Sequence, residues 1–136
     1  MMHKHLYVGL TTDMNLTKVI KYDNILGVDN MSWKVTFYSE KVEKEILEFP
    51  VGILADLLHI LEMIEDLGPN LGKPHTAPMG DGLFEIRAKG KEGIGRSFFA
   101  IVVDREIVIL HSFVKKSQKT PKKELEKARK RLKELK

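Results

Sequence analysis

The chain has 136 residues, no cysteine, 31% charged residues and a net charge of +4. That length fits one domain with a core large enough to stand without staples, and the absence of thiols excludes disulfides and thiolate metal sites. No apolar run approaches the roughly 20 residues of a bilayer span; the N-terminus has no apolar stretch ahead of a small-residue cleavage site, so no signal peptide is expected and the cytoplasm is the expected location. The charge is unevenly spread. From Val114 to the end there are eleven Lys/Arg and three Glu, whereas the other 113 residues carry 12 basic and 16 acidic side chains. Positive potential gathered at one end raises the local concentration of a polyanion, although a lysine-rich final helix also reads as a solvated face.

Residues 1–30 differ from the rest. They hold scattered apolar residues, two short strand-like runs (LYVGL and KVIKY) and the turn-like pairs Asp23-Asn24 and Asp29-Asn30. They are expected to form an extension or an added hairpin, with the main domain over 31–136. WKVTFYS alternates, with Trp33, Val35 and Phe37 on one face, and predicts the first core strand. Ser39 is placed to cap a helix that continues through Val42, Ile46 and Phe49. Pro50 interrupts it and starts a second helix, VGILADLLHILEMIEDLG, whose stripe of Leu54, Leu57, Leu58, Leu61 and Ile64 is predicted to be buried. Gly68-Pro69 ends it.

PNLGKPHTAPMGDG is rich in Gly and Pro and predicts a loop. LFEIRAK then alternates, with Phe84, Ile86 and Ala88 on one face and Glu85, Arg87 and Lys89 on the other. Gly90 to Gly93 supply a hairpin turn into IGRSFFAIVV, and Asp104-Arg105 turns the chain into EIVILHSFVKK. These last two runs are nearly continuous in apolar residues, as strands covered on both faces are. Thr120 and Pro121 predict the cap and first position of a final helix through Leu125, Ala128, Leu132 and Leu135, either packed back or projecting. The fold class is therefore α+β: a twisted antiparallel sheet with an N-terminal helical hairpin (β-α-α-β-β-β) and a C-terminal helix.

The last three strands end in basic residues: Arg87 and Lys89, then Arg96, then His111, Lys115 and Lys116. A sheet that gathers guanidinium, imidazole and ammonium groups, with no carboxylate cluster, suits phosphate and points to RNA. His59 and His75 have no partner at ligand spacing, His3 and His5 are spaced like a weak metal tag, and neither a metal nor a small-molecule cofactor is expected.

The run Leu83-Phe84-Glu85-Ile86-Arg87, the Arg96 of IGRSFF, and Ile109-Leu110-His111-Ser112-Phe113-Val114-Lys115-Lys116-Ser117-Gln118-Lys119-Thr120-Pro121 resemble the RelE/HigB superfamily of toxins. The closest likeness is to the phage-derived HigB-like branch of type II toxin–antitoxin systems. It covers about Trp33 to Leu135. Phe84 stands where that branch usually has Trp. The resemblance implies a RelE-like fold and a metal-independent, ribosome-dependent mRNA endoribonuclease. It also implies neutralisation by a helix-turn-helix, HigA-like antitoxin. The superfamily includes gyrase-poisoning relatives that cut no RNA. The alternative is therefore a non-catalytic RelE/ParE-fold binding module, either such a poison or a degenerate toxin acting only in a repressor complex.

Cleavage by the ribose 2′-hydroxyl needs a base, an acid and cations for the charge developing on phosphorus. Arg87 and Arg96 are the expected phosphate clamps. His111 is the side chain titrating near neutrality, and Lys115 or Lys116 can take part if neighbouring cations depress the ammonium pKa. Lys89, Lys91 and Lys119 are expected to contact the RNA backbone, and Phe113 to stack on a base. Each has a structural rival: an ion pair of Arg87 with Glu45, Glu48 or Glu85, a loop hydrogen bond for Arg96, a buried histidine at 111, core packing for Phe113. Replacing Arg87 and Arg96 together by Ala is expected to relieve toxicity and leave the protein folded.

Overall fold

The computed structural model describes residues 32–115 and 121–135. The expected extension over 1–30 lies outside them, as do Lys116, Lys119 and the Thr120 cap. The elements are β1 (Lys34–Phe37), α1 (Glu40–Leu47), α2 (Val51–Leu67), β2 (Thr76–Gly80), β3 (Leu83–Gly90), β4 (Gly93–Val103), β5 (Glu106–Lys115) and α3 (Lys122–Leu135). They build one five-stranded sheet in the order β1-β5-β4-β3-β2.

The α+β architecture is the one expected, with two differences in the sheet. First, the sheet is mixed. β1 runs parallel to β5, with Val35 opposite Ile107 and Phe37 opposite Ile109, while the other four strands are antiparallel. The α1–α2 hairpin lies between β1 and the meander, so β1 reaches the sheet by a non-local pairing. Second, the Gly/Pro-rich segment is not wholly a loop: Thr76–Gly80 pairs with β3 as a short strand. Pro78 is tolerated because β2 is an edge strand, where a missing N–H can face outward.

Ser39 caps α1, accepting from the Val42 amide at 3.2 Å. Helix α2 begins after Pro50 and stops at Gly68, whose φ of 94° is costly for any residue with a Cβ. The buried residues of α2 are Ile53, Leu57, Ile60, Leu61 and Ile64. The stripe is turned from the predicted one, and Leu54 and Leu58 sit at its margin. With apolar residues almost all round α2, periodicity alone does not fix which flank goes deepest.

Each face of the sheet carries its own apolar layer. On one, α1 and α2 cover Val35, Phe37, Ile86, Ala88, Phe99, Ile107 and Ile109, and Phe84 stacks on Phe99 at 5.4 Å. On the other, α3 packs back, placing Ala128 and Leu132 over Leu83, Phe98, Ala100, Val108 and Leu110. Double coverage explains why β4 and β5 read as unbroken apolar runs. At the β3–β4 turn the N-terminal end of α2 comes so close that a Cβ on Gly90 would lie 2.5 Å from the Ile53 amide nitrogen. Arg131 holds α3 in place by donating to the Leu110 carbonyl at 2.7 Å and lying over the Tyr38 ring, 5.1 Å from its centroid.

Candidate functional site

The three longest strands, β3, β4 and β5, bring most of the predicted residues together by register. Directly opposed residues share a sheet face. Glu85, Phe98 and His111 form one row across β3, β4 and β5; Arg87, Arg96 and Phe113 form the next; Lys89, Ile94 and Lys115 form a third. All lie on the face that α3 covers in part. The helix shields the first row and leaves the other two less covered.

A β-bulge makes this alignment. His111 lies opposite Phe98, but Ile109 lies opposite Phe99, so Leu110 is the extra residue in β5. Up to Leu110, the even-numbered residues Val108 and Leu110 point to the α3 layer. Past it, His111, Phe113 and Lys115 do. Without the bulge these three would point to the α1–α2 face, away from Arg87 and Arg96. Bulges re-aim side chains in this way beside functional sites.

The arginines differ in state. Arg87 is half-buried, and its guanidinium has no ion pair among the described residues. Arg96 is buried, and one guanidinium nitrogen is in close contact with the buried carboxylate of Glu85; its Nε is buried without a hydrogen-bond partner. Arg96 is thus held by a strand neighbour, not by a loop. Against the expectation that the Arg87/Arg96 double Ala variant stays folded, its Arg96 half is predicted to cost stability, because that change strands the Glu85 carboxylate in the interior.

Lys115, at the end of the third row, has a pKa lowered by burial first, then by the Arg96 and Arg87 charges, with Glu85 opposing. That is the direction cation neighbours were expected to impose. Lys89 and Lys91 are exposed at the hairpin end of β3. Phe113 is half-buried between rings, 5.9 Å from Phe98 and 5.8 Å from His111, so packing occupies it.

His111 is buried, and its Nε2 lies 2.5 Å from Glu124 Oε1 in the first turn of α3. Its pKa lies below the ordinary imidazole value, lowered by burial first and also by the Lys127 and Arg131 charges, against the opposite pull of Glu124. A neutral ring donating from Nε2–H to Glu124 leaves Nδ1 as a bare acceptor, consistent with its burial without a partner. Because the folded pKa is depressed, the unfolded chain binds more protons below about pH 6.5, and stability is lost on acidification. Urea unfolding between pH 7.5 and 5 is expected to show a steeper acid loss for the wild type than for His111→Gln. The excess slope is up to about 1.4 kcal/mol per pH unit; identical slopes would count against a neutral buried His111.

Sequence reasoning undervalued four residues. Glu85 was visible as a face-mate of Arg87, yet its pairing with Arg96 depends on strand register. Glu124 lies in the first turn of α3, and its contact with His111 depends on that helix packing back. Asp56 and His75 line a cleft of about 310 Å³ with Pro74, Arg87, Lys89 and Ile94. β2 begins opposite Ile86, so beyond it the β3 edge has no strand neighbour. There the His75 carbonyl accepts from the Arg87 amide at 2.9 Å, and Asp56 Oδ2 accepts from the Lys89 amide at 2.7 Å. Among the described residues no three or more His, Asp or Glu converge as metal ligands.

The model of the family described as "Phage derived protein Gp49-like (DUF891)" matches residues 44–133. The chain belongs to this family. Gp49-like proteins are a RelE/HigB-like toxin family associated with toxin–antitoxin modules, and membership implies an antitoxin partner. The matched span runs from within α1 to within the last turn of α3 and so includes all three rows of the face. No curated protein matches the chain. Among the described residues of this Gp49-like chain, no helix is long and apolar enough to cross a membrane.

Proposed function

We propose that this Gp49-like protein is a ribosome-dependent mRNA endoribonuclease of the HigB-like kind, the toxin of a type II module whose antitoxin is a helix-turn-helix protein. The observation that carries this reading is the row geometry: an Arg87 with no ion pair among the described residues, a Glu85-held Arg96 and Lys115 on one sheet face beside His111.

In this reading the scissile phosphate sits on Arg87, with Arg96 as a fixed second charge. Nδ1 of His111 is buried behind α3, so the 2′-hydroxyl proton leaves to water, and His111, held by Glu124 on Nε2, packs behind the cations. The 2′-oxygen bonds to phosphorus, the P–O5′ bond breaks, and the Lys115 ammonium gives its proton to the departing 5′-oxygen. A lowered pKa makes that ammonium a better acid. The products are a 2′,3′-cyclic phosphate and a 5′-hydroxyl. Lys89, Lys91, Lys116 and Lys119 add charge for the RNA backbone, and Phe113 holds the imidazole.

A second reading is the non-catalytic binding module. It is favoured by the engagement of Arg96 with Glu85 and of His111 with Glu124. Primer-extension mapping of transcripts after brief induction separates the two. The nuclease predicts new 5′ ends within translated regions, absent when translation initiation is blocked. Growth arrest with intact transcripts and induction of the DNA-damage response would establish the binding module instead.

A further inference from the structure

The cleft at the β3 edge shares Arg87 with the proposed phosphate site, yet its other lining residues bring different chemistry. Arg87 and Lys89 provide two cations, Asp56 and His75 a carboxylate and an imidazole, and Pro74 and Ile94 apolar surface. At about 310 Å³ it lies at the small end of ligand pockets, enough for one nucleoside rather than two. The Asp56 carboxylate repels a second phosphate, so the group it meets is neutral and carries hydrogen-bond donors. A carboxylate only accepts. Single-stranded RNA is read in this manner, by splayed bases stacked on flat side chains and hydrogen-bonded along their edges.

We infer that this cleft seats one nucleobase of the mRNA next to the scissile phosphate, that Asp56 reads its edge with His75 as the stacking surface, and that it favours guanine. The inference rests on the nuclease reading. Guanine presents N1–H and N2–H₂ side by side to an acceptor pair. Adenine and cytosine offer an amino group beside an acceptor, and uracil offers one N–H between two carbonyls. Asp56 Oδ2 already accepts from the Lys89 amide, which fixes the carboxylate in place.

The substitution Asp56→Asn is informative because the amide oxygen retains the bond from the Lys89 N–H and turns its NH₂ into the cleft. A donor there opposes guanine and suits a uracil carbonyl. In transcript-wide mapping of cleavage sites, the wild type is expected to show a guanine preference at one position flanking the cut. Asp56→Asn is expected to lose it by about tenfold and gain uracil. His75→Ala is expected to weaken cleavage at all sites without changing the base ranking. Absence of any cleavage by the wild type would sink the nuclease reading. Cleavage by Asp56→Asn with unchanged base preference would overturn the cleft assignment and leave that reading standing. If Asp56→Asn cuts nothing, titration of the wild-type protein decides: guanosine 5′-monophosphate should shift the amide resonances of His75 and Lys89 at lower concentration than uridine 5′-monophosphate. Equal response to both, or response to neither, overturns the assignment.

Discussion

Arg87→Ala is expected to lower mRNA cleavage by about 10²–10³-fold, the usual loss when one fixed donor to a developing oxyanion is removed. Arg87 lies in the middle row of the cation face, opposite Arg96 on the neighbouring strand, and it also borders the β3-edge cleft. No ion pair among the described residues holds its guanidinium, so nothing is left buried and uncompensated when it is removed. Its backbone amide still donates to His75. Stability should change by no more than about 1 kcal/mol, as for other substitutions away from buried networks. The check is a pair of measurements on one preparation: cleavage of a ribosome-bound message, and urea unfolding. Cleavage within threefold of wild type would remove Arg87 from the site.

Arg96→Ala has the opposite signature. Its side chain and that of Glu85 retain 10% and 4% of their exposure, and they contact each other. Removing one member of a buried pair costs about 3–5 kcal/mol, because the remaining charge has neither water nor a partner. Against a total stability of about 5–15 kcal/mol this approaches unfolding. Arg96→Ala is therefore expected to lose toxicity chiefly through loss of fold, seen as a large drop in the thermal midpoint. Replacing both partners with apolar residues, Glu85→Leu with Arg96→Met, is expected to bring the midpoint back to near the wild-type value while cleavage stays low. A stable Arg96→Ala protein would refute the buried-pair account. A fully active double variant would show that Arg96 serves structure alone.

The elements of this fold were legible where local pattern decides them. Ser39 announced α1, Pro50 and Gly68 bracketed α2, and the alternation in LFEIRAK placed Glu85, Arg87 and Lys89 on one face, which is where register sets them. β2 was hidden because Pro78 and Gly80 dominate a five-residue edge strand whose pairing with β3 nothing local records. The parallel pairing of β1 with β5 was hidden as well, since nothing local to WKVTFYS records a partner about 70 residues away.

The site followed the same division. Its basic residues could be read from the chain, but their common face could not. Simple alternation leaves His111 on the side of Ile109, and only the extra Leu110 in β5 swings His111, Phe113 and Lys115 round to Arg87 and Arg96. The contacts that set the state of each group, Glu85 with Arg96 and Glu124 with His111, join strands or a helix that the sequence keeps 11 and 13 residues apart. Both depend on register and on α3 packing back, which an amphipathic stripe permits without choosing.

The most direct test of the cation face is the chemistry of the ends it leaves. Purified protein, ribosomes and a defined message should yield fragments bearing a 2′,3′-cyclic phosphate and a 5′-hydroxyl, and a message with deoxyribose at the scissile nucleotide should remain whole. Fragments ending in a 3′-hydroxyl and a 5′-phosphate, or equal cutting of the deoxyribose message, would contradict attack by the ribose hydroxyl on a phosphate held by Arg87, Arg96 and Lys115.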